Sequence, residues 1–355
     1  MKNIVIFTNT LKSGGAEKQA VLLAQALHYN YNIWLVIYYG DKFDHKYIDY
    51  LKNDNVNVIH LYGNHLKKII YFYKFLKKQK INIIFSYLLT TNLISSFLGK
   101  LAGVKFIIGG IRNSVLSKKK VFLQRFIHNH IATYTIFNNY KGKELLIKKG
   151  FLAHKIVVIP NCHIVREEPL KRKNTNLITI LSVGRFCKAK NYLTAIKAVS
   201  KLKQEKIDFK YIIVGYGEME NKIRKYIEKY HLEKEINIII NPDNLSYYYK
   251  IADIYLMTSL FEGLSNTVLE AMEFSLPLII TDVGDNNKLV YEGRNGFLCE
   301  TQNVEYIADK LIYLINNYDK RIRFGELSYK IVCENYSFDK FKNNYINFIE
   351  SLDIN

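Results

Sequence analysis

Short apolar runs rich in Ile and Val, each followed by a helix-like segment, recur along almost the whole chain. In the first half they lie at 4–7, 33–38, 56–61, 81–85, 106–108, 134–137 and 156–159, without strict polar alternation. A strand with one wet face alternates with period two, so runs apolar throughout indicate parallel strands covered on both sides. Parallel neighbours need a crossover between them. Residues 16–27 supply one, with Ala20, Leu23 and Leu27 on one helical face. The alternation therefore implies βαβ units and a doubly wound α/β sheet.

The pattern stops at 166–176, a charged stretch with Pro169 and no periodicity, which is expected to be a linker. It resumes at 177–183, followed by a helix at 192–204 and strands at 211–214, 236–240, 254–257 and 278–281. Two similar α/β halves are expected, a domain over 1–165 and another over 166–337. The C-terminal helix within 338–355 is open to packing back on either, the N-terminal domain included. A length of 355 residues, with 49% apolar and 23% charged, suits a folded protein of this size.

Charge separates the halves. The chain carries +19 overall, of which residues 1–165 hold +18 and the remainder +1. Such asymmetry points to an anionic partner of the first half, a nucleic acid or an anionic membrane surface. No nucleic-acid-binding motif is visible, which favours the membrane. The cysteines Cys162, Cys187, Cys299 and Cys333 form no C-x-x-C pair, so neither a zinc site nor a redox motif is indicated, and a reducing cytoplasm fits. The apolar run at 4–7 is too short for a signal peptide, and no stretch reaches the ~18–20 apolar residues of a membrane span. Membrane contact is thus expected to be peripheral, from the cytoplasmic side.

Ligands of open α/β sheets bind beyond the carboxyl ends of strands, so residues there carry the functional signal. Gly14 and Gly15 follow the first strand and precede a helix. Paired glycines and free helix-start amides suit an anion, although an ordinary strand-to-helix turn has the same composition. Gly184 and Arg185 follow 177–183, and Lys190 precedes the next helix. A guanidinium fork and an ammonium at one strand end suit a diphosphate; a surface turn bearing two cations is the plainer alternative. Gly215 and Gly217 lack the third glycine of a dinucleotide fingerprint and mark a close-approach loop or a tight turn. The richest stretch is 259–272, S-L-F-E-G-L-S-N-T-V-L-E-A-M. Ser265 or Asn266 is a good helix N-cap, which leaves Glu262 in the loop and puts Glu270 a turn into the helix. Carboxylates flanking helix-start amides address different parts of one elongated ligand, and a partly buried Glu270 needs partners such as ribose hydroxyls. A helix with solvent-facing acids is the alternative.

The spacing Glu262-x7-Glu270, followed by Pro277, resembles the retaining glycosyltransferases of family 4. G-G-A-E at 14–17, I-P-N at 159–161, G-R-F…K-N at 184–191, V-G-Y-G at 214–217, V-G-D-N at 283–286 and N-G-F-L at 295–298 occur in the family's order. The resemblance spans essentially the whole chain. It implies the GT-B fold, two Rossmann-like domains facing across a cleft, the first for acceptor and the second for a UDP- or GDP-linked sugar. Glu262, Arg185 and Lys190 would then be catalytic, the two cations on the donor diphosphate and Glu262 on the transferred sugar. Glu270 would hold the ribose, and Gly263, Leu264, Ser265 and Asn266 would line the sugar and phosphates with backbone. Gly184, Gly215 and Gly217 would shape the donor loops, and Gly14 and Gly15 would close from the opposite domain.

The resemblance further implies retention at the anomeric carbon, transfer of a hexosyl or N-acetylhexosaminyl unit, and no cofactor beyond the nucleotide sugar. No D-x-D triplet for a metal is present, in keeping with metal-independent GT-B enzymes. The favoured acceptors are lipid-linked precursors of capsule, O-antigen, lipopolysaccharide or another surface polysaccharide. A nucleotide-sugar 2-epimerase of the same fold and a non-catalytic membrane- or nucleic-acid-binding relative are the alternatives. Lys288, Asp285 and Ser275 replace residues common in the family and bear on donor-sugar selection.

On the acceptor side, residues 66–80 place Ile69, Phe72, Tyr73 and Leu76 on one helical face among Lys67, Lys68, Lys74, Lys77, Lys78 and Lys80. Residues 115–131 set Lys118, Lys119, Lys120 and Arg125 beside Val121, Phe122, Phe126 and Ile127. A basic amphipathic helix of this kind can lie on an anionic bilayer, and a sheet-packed crossover helix with a solvated lysine face has the same pattern. Arg112 and Asn113, just before it, suit an acceptor phosphate or sugar, or a helix cap. His128 and His130 do not share a helical face and are expected to be core or surface residues rather than metal ligands.

Overall fold

The computed structural model describes residues 1–12, 14–54, 56–111, 117–165, 168–172 and 177–352. Arg112 and Asn113 lie outside the described residues. The chain divides into two units, Met1–Cys162 with the segment from Phe338 onward, and His163–Ser337. In the first, β1 (Asn3–Thr8), β2 (Asn32–Ile37), β3 (Asn57–His60), β4 (Ile83–Tyr87), β5 (Phe106–Ile111), β6 (Tyr134–Phe137) and β7 (Ile156–Val158) form one parallel sheet. Its order is β3-β2-β1-β4-β5-β6-β7. In the second, β8 (Ile178–Val183), β9 (Phe209–Gly215), β10 (Ile236–Ile240), β11 (Ile254–Met257), β12 (Leu278–Thr281) and β13 (Gly296–Cys299) run parallel in the order β10-β9-β8-β11-β12-β13. Strand order reverses at β1/β4 and at β8/β11. At such a switch point the loops leaving neighbouring strands diverge and open a crevice at their carboxyl ends.

Alternation along β1 sorts the first core. Ile4 and Ile6 pack with helix Gly15–Leu27, whereas Val5 and Phe7 pack with helix His65–Lys78 on the other face. The Phe7 and Phe72 rings stack there at 4.4 Å. Lys68 departs from the expected solvated lysine face: it is buried, with its ammonium 5.0 Å from the rings of both Tyr38 and Tyr39. Helix Gly15–Leu27 is buried nearly all round because helix Phe338–Ser351 covers its outer side. That last helix inserts Phe341, Tyr345 and Ile349, spaced i, i+4, i+8, into the same core. Each is worth roughly 1.5–3 kcal/mol of apolar burial.

Three local differences from the sequence pattern have physical causes. β5 continues through Gly109 and Gly110 to Ile111, because backbone pairing with β4 and β6 carries across the two glycines. The N-G-F-L segment is itself an edge strand, β13, paired to β12. Finally, the described part of the 166–176 stretch is docked rather than loose. The Arg172 guanidinium donates to the carbonyls of Tyr249, Lys250, Ala252, Phe274 and Ser275, capping the C-terminal ends of helices Leu245–Ile251 and Asn266–Glu273. Alongside, the Leu170 amide donates to Ser275 Oγ at 3.2 Å.

Candidate active site

The β8/β11 crevice gathers the second unit's motifs. The chain leaves β8 at Gly184, whose amide donates to Val214 O at 3.0 Å, and Phe186 N donates to Tyr216 O at 2.7 Å. These bonds lace the loops after β8 and β9 together. The contact is close: a Cβ on Gly215 would lie 1.9 Å from Gly184 O, so only glycine fits. Phe186 is buried as the anchor, and Arg185 beside it is exposed. A 3-10 turn, Lys188–Lys190, and Asn191 in a left-handed conformation (φ 50°) then aim the Lys190 side chain back toward Gly184.

The loop after β11 meets that turn. Leu260 N donates to Ala189 O at 2.8 Å, and Thr258 Oγ1 donates to Asn191 O at 3.0 Å. Lys190 Nζ consequently reaches Glu262 Oε1 at 2.5 Å, and Ser259 Oγ donates to the same oxygen at 2.8 Å. Both charged side chains are largely buried, 18% and 15% exposed, which strengthens their attraction relative to a surface pair.

Glu262 is supported from behind by the loop after β12. Asp285 N donates to Gly263 O at 3.1 Å. At Gly284 (φ 58°) a Cβ would lie 2.3 Å from Gly263 O and 2.6 Å from Glu262 O. Gly284 thus lets one backbone rest on the other. Asn286 is fully buried and ties the loop to Thr281 O at 2.8 Å. Lys288 is exposed at the surface of this loop. Ser275 sits apart from it, at the far end of helix Asn266–Glu273, left-handed (φ 53°) and packed with Arg172 and Leu170. Its place explains a structural role rather than the expected influence on donor choice.

Ser265 is the N-cap of helix Asn266–Glu273, where the helix dipole favours an anion. Glu270 is half-buried one turn in, and Tyr249 OH donates to its Oε2 at 2.9 Å. A tyrosine hydroxyl is thus one partner of the Glu270 carboxylate. Tyr249 belongs to a buried tyrosine scaffold that motif matching missed. Tyr192 OH donates to Gly184 O at 2.8 Å, Tyr255 OH to Thr267 Oγ1 at 2.8 Å, and Tyr211 OH pairs with Ser182 Oγ at 2.8 Å. Burial raises all four phenol pKa values, with Glu270 adding to the rise at Tyr249, so each is a neutral hydroxyl at physiological pH. The available signal was 28 tyrosines, some inside strands where Ile or Val would serve packing alone.

Gly14 and Gly15 lie in the first unit, at the carboxyl end of β1, as N-cap and first residue of helix Gly15–Leu27. The Glu17 carboxylate folds over Gly14 and accepts from Thr10 Oγ1 at 2.9 Å. Among the described residues no cluster of His, Cys, Asp or Glu has the makings of a metal site, and no helix is long and apolar enough to cross a membrane.

The family model "Glycosyl transferases group 1" matches residues 166–331. An uncharacterized glycosyltransferase of Haemophilus influenzae is 30% identical over 224 residues, covering 61% of this chain and 62% of that protein. UDP-Gal:alpha-D-GlcNAc-diphosphoundecaprenol alpha-1,3-galactosyltransferase of Escherichia coli is 25% identical over 310 residues, 80% of each chain. Among solved structures, Anabaena Alr3699/HepE in complex with UDP superimposes with a TM-score of 0.85 at 15% identity, covering 98% of this chain and 100% of that one. The fold is GT-B: two Rossmann-like α/β units on parallel sheets.

Proposed function

We propose that the chain is a glycosyltransferase that moves a sugar from a nucleotide donor to a lipid-linked or polysaccharide acceptor. The observation that carries this is the Lys190–Glu262 pair at 2.5 Å in the β8/β11 crevice. It is supported by the match of the second unit to a glycosyltransferase family model and by relatives that bear glycosyltransferase names. In finer detail we assign it to the retaining, metal-independent enzymes of family 4, using a UDP- or GDP-linked hexose or N-acetylhexosamine.

The pair has a chemical use in that reaction. Before donor arrives, Glu262 and Lys190 neutralise one another. A donor diphosphate competes for the Lys190 ammonium, joined by the exposed Arg185 fork, and releases the Glu262 carboxylate to accept from a hydroxyl of the transferred sugar. The bond from the anomeric carbon to the diphosphate then breaks, and negative charge grows on the leaving group where the two cations and the helix-start backbone of Leu264, Ser265 and Asn266 await it. The acceptor oxygen bonds to the same face of that carbon, and its proton passes to the departing phosphate oxygen. Glu270 takes the ribose hydroxyls, with Tyr249 holding its other oxygen. Gly263 carries the backbone between the two acids, Gly184, Gly215 and Gly217 keep the donor loops close, and Gly14 and Gly15 serve the donor from the first unit.

The first unit takes the acceptor in this assignment, with Arg112 and Asn113 as its candidate contacts. An acceptor anchored in lipid, such as a precursor of capsule, O-antigen or lipopolysaccharide, calls for an enzyme at the inner membrane surface. The test is a panel of UDP- and GDP-sugars. One nucleotide series is expected to raise the melting temperature and to be slowly hydrolysed, and no response to any of them refutes the assignment.

A further inference from the structure

Asp54 and Glu144 bracket 89 residues that contain no Asp or Glu and 15 Lys or Arg. The three complete helices of this acid-free run lie on one face of the first unit's sheet. Helices His65–Lys78, Leu89–Ala102 and Lys118–His130 are consecutive neighbours on the sheet face that holds Val5 and Phe7. Their inner residues, among them Phe72, Leu98 and Val121, pack on the sheet, so residues exposed on them point away from it.

What they expose is apolar. Leu66 and Ile70 on the first helix, Phe97 and Leu101 on the second, and Phe122 and Phe126 on the third all stand in solvent, Leu101 being 69% and Leu66 65% exposed. The middle helix, with Phe97 and Leu101, joins the two basic helices into one surface. Lys67, Lys74, Lys100, Lys118, Lys119 and Lys120 are exposed among these side chains, and none forms an ion pair with a described residue. Six protruding apolar side chains on one side exceed the scattered exposure that needs no explanation.

We propose that the outward faces of these three helices form the surface by which the first unit docks on an anionic phospholipid bilayer. The chemistry selects this partner. Apolar side chains enter the boundary between headgroups and acyl chains, while lysine stems lie along them and put their ammonium groups on lipid phosphates. An anionic leaflet attracts lysines near its surface by about 1 kcal/mol each. Single-stranded nucleic acid also binds basic, aromatic surfaces, but it stacks its bases on rings, and the two largest exposures here are leucines. The inference deepens the lipid-linked-acceptor assignment by naming the surface, and its vesicle-binding test needs neither donor nor acceptor.

The purified full-length chain is sedimented with vesicles of phosphatidylcholine alone, or of phosphatidylcholine with about 30% phosphatidylglycerol, at low and high salt. Binding is expected only to the anionic vesicles and is expected to weaken with salt. The triple variant F97S/L101S/F126S is expected to bind about tenfold less tightly, because insertion scales with buried apolar area, with an unchanged melting temperature and unchanged nucleotide-sugar hydrolysis. In a second measurement, F97W is expected to shift its fluorescence to the blue on anionic vesicles. Equal binding to neutral vesicles, undiminished binding by the triple variant, no fluorescence shift, or preference for a single-stranded RNA over the vesicles would each overturn the proposal. No response of the wild type to any UDP- or GDP-sugar, in a protein that still binds anionic vesicles, refutes the glycosyltransferase assignment and leaves the surface standing.

Discussion

Lys190 and Glu262, 72 residues apart in the chain, meet at 2.5 Å because β8 and β11 are sheet neighbours whose loops are bonded through Leu260 and Ala189. Each residue is the other's counter-ion in this structure, and that gives their substitutions different outcomes. Lys190→Ala removes the diphosphate's cation and is expected to weaken nucleoside-diphosphate binding and to lower transfer roughly 100- to 1,000-fold. Glu262→Ala is expected to lower transfer comparably while diphosphate binding stays the same or tightens, since the ammonium no longer has a competing carboxylate. Calorimetry with the nucleoside diphosphate and a turnover assay separate the two. Equal loss of binding in both variants contradicts this account.

Tyr249→Phe removes the hydroxyl that donates to Glu270 Oε2 at 2.9 Å. A hydrogen bond to a charged group contributes ~1.5–3 kcal/mol, and here it orients a carboxylate rather than touching the reacting atoms. The expected effect is a donor KM raised about tenfold, with kcat little changed. A fall in kcat at unchanged KM would place Glu270 elsewhere in the reaction. Steady-state kinetics over a donor series decide it.

Strand positions were accessible from the residues because parallel strands covered on both faces read as near-continuous apolar runs, and 134–137, 236–240 and 254–257 end as strands where those runs end. The contents of the crevice were less so. Arg185, Lys190 and Glu262 stand out individually at strand ends, but their pairing depends on which strands adjoin, which no local pattern encodes. Tyr192, Tyr249 and Tyr255 look like ordinary core aromatics, since the target of a buried hydroxyl is set by tertiary register. The spacing of Phe341, Tyr345 and Ile349 announces an apolar helix face without saying which unit receives it. Arg172 lies in a stretch whose charge and Pro169 suggest a solvated connector, and only the meeting of two helix ends reveals its use.

Arg172→Met is expected to destabilise the second unit by about 3 kcal/mol, because buried carbonyls at two helix ends lose their donor. At ~2–4 °C per kcal/mol for a unit of this size, the melting temperature should fall by about 8 °C. Arg172→Lys should rescue little, as one ammonium cannot span five carbonyls presented to a planar fork. Thermal melts with limited proteolysis to identify the unit that opens provide the check.

The first unit carries a pH dependence in His128, which is buried with Nδ1 2.7 Å from Thr135 Oγ1 and Nε2 3.0 Å from Leu152 O. The neutral imidazole satisfies both contacts, donating from Nε2 to the carbonyl and accepting at Nδ1 from the hydroxyl. Burial holds its pKa down at about 4, with the nearby charges of Lys155 and His154 adding to the depression and the Leu152 carbonyl opposing it. The unfolded chain takes up the proton near pH 6.5, the folded one only near 4, so between these values the unfolded state binds more protons. Stability contributed by this site is therefore present above about pH 6.5 and is lost as pH falls toward 4. The loss is on the order of 2 kcal/mol. Urea unfolding of the wild type at pH 7 and pH 5 should show it, and His128→Gln should lower stability at pH 7 while flattening the difference between the two pH values. A variant that keeps the full pH dependence would remove His128 as its source.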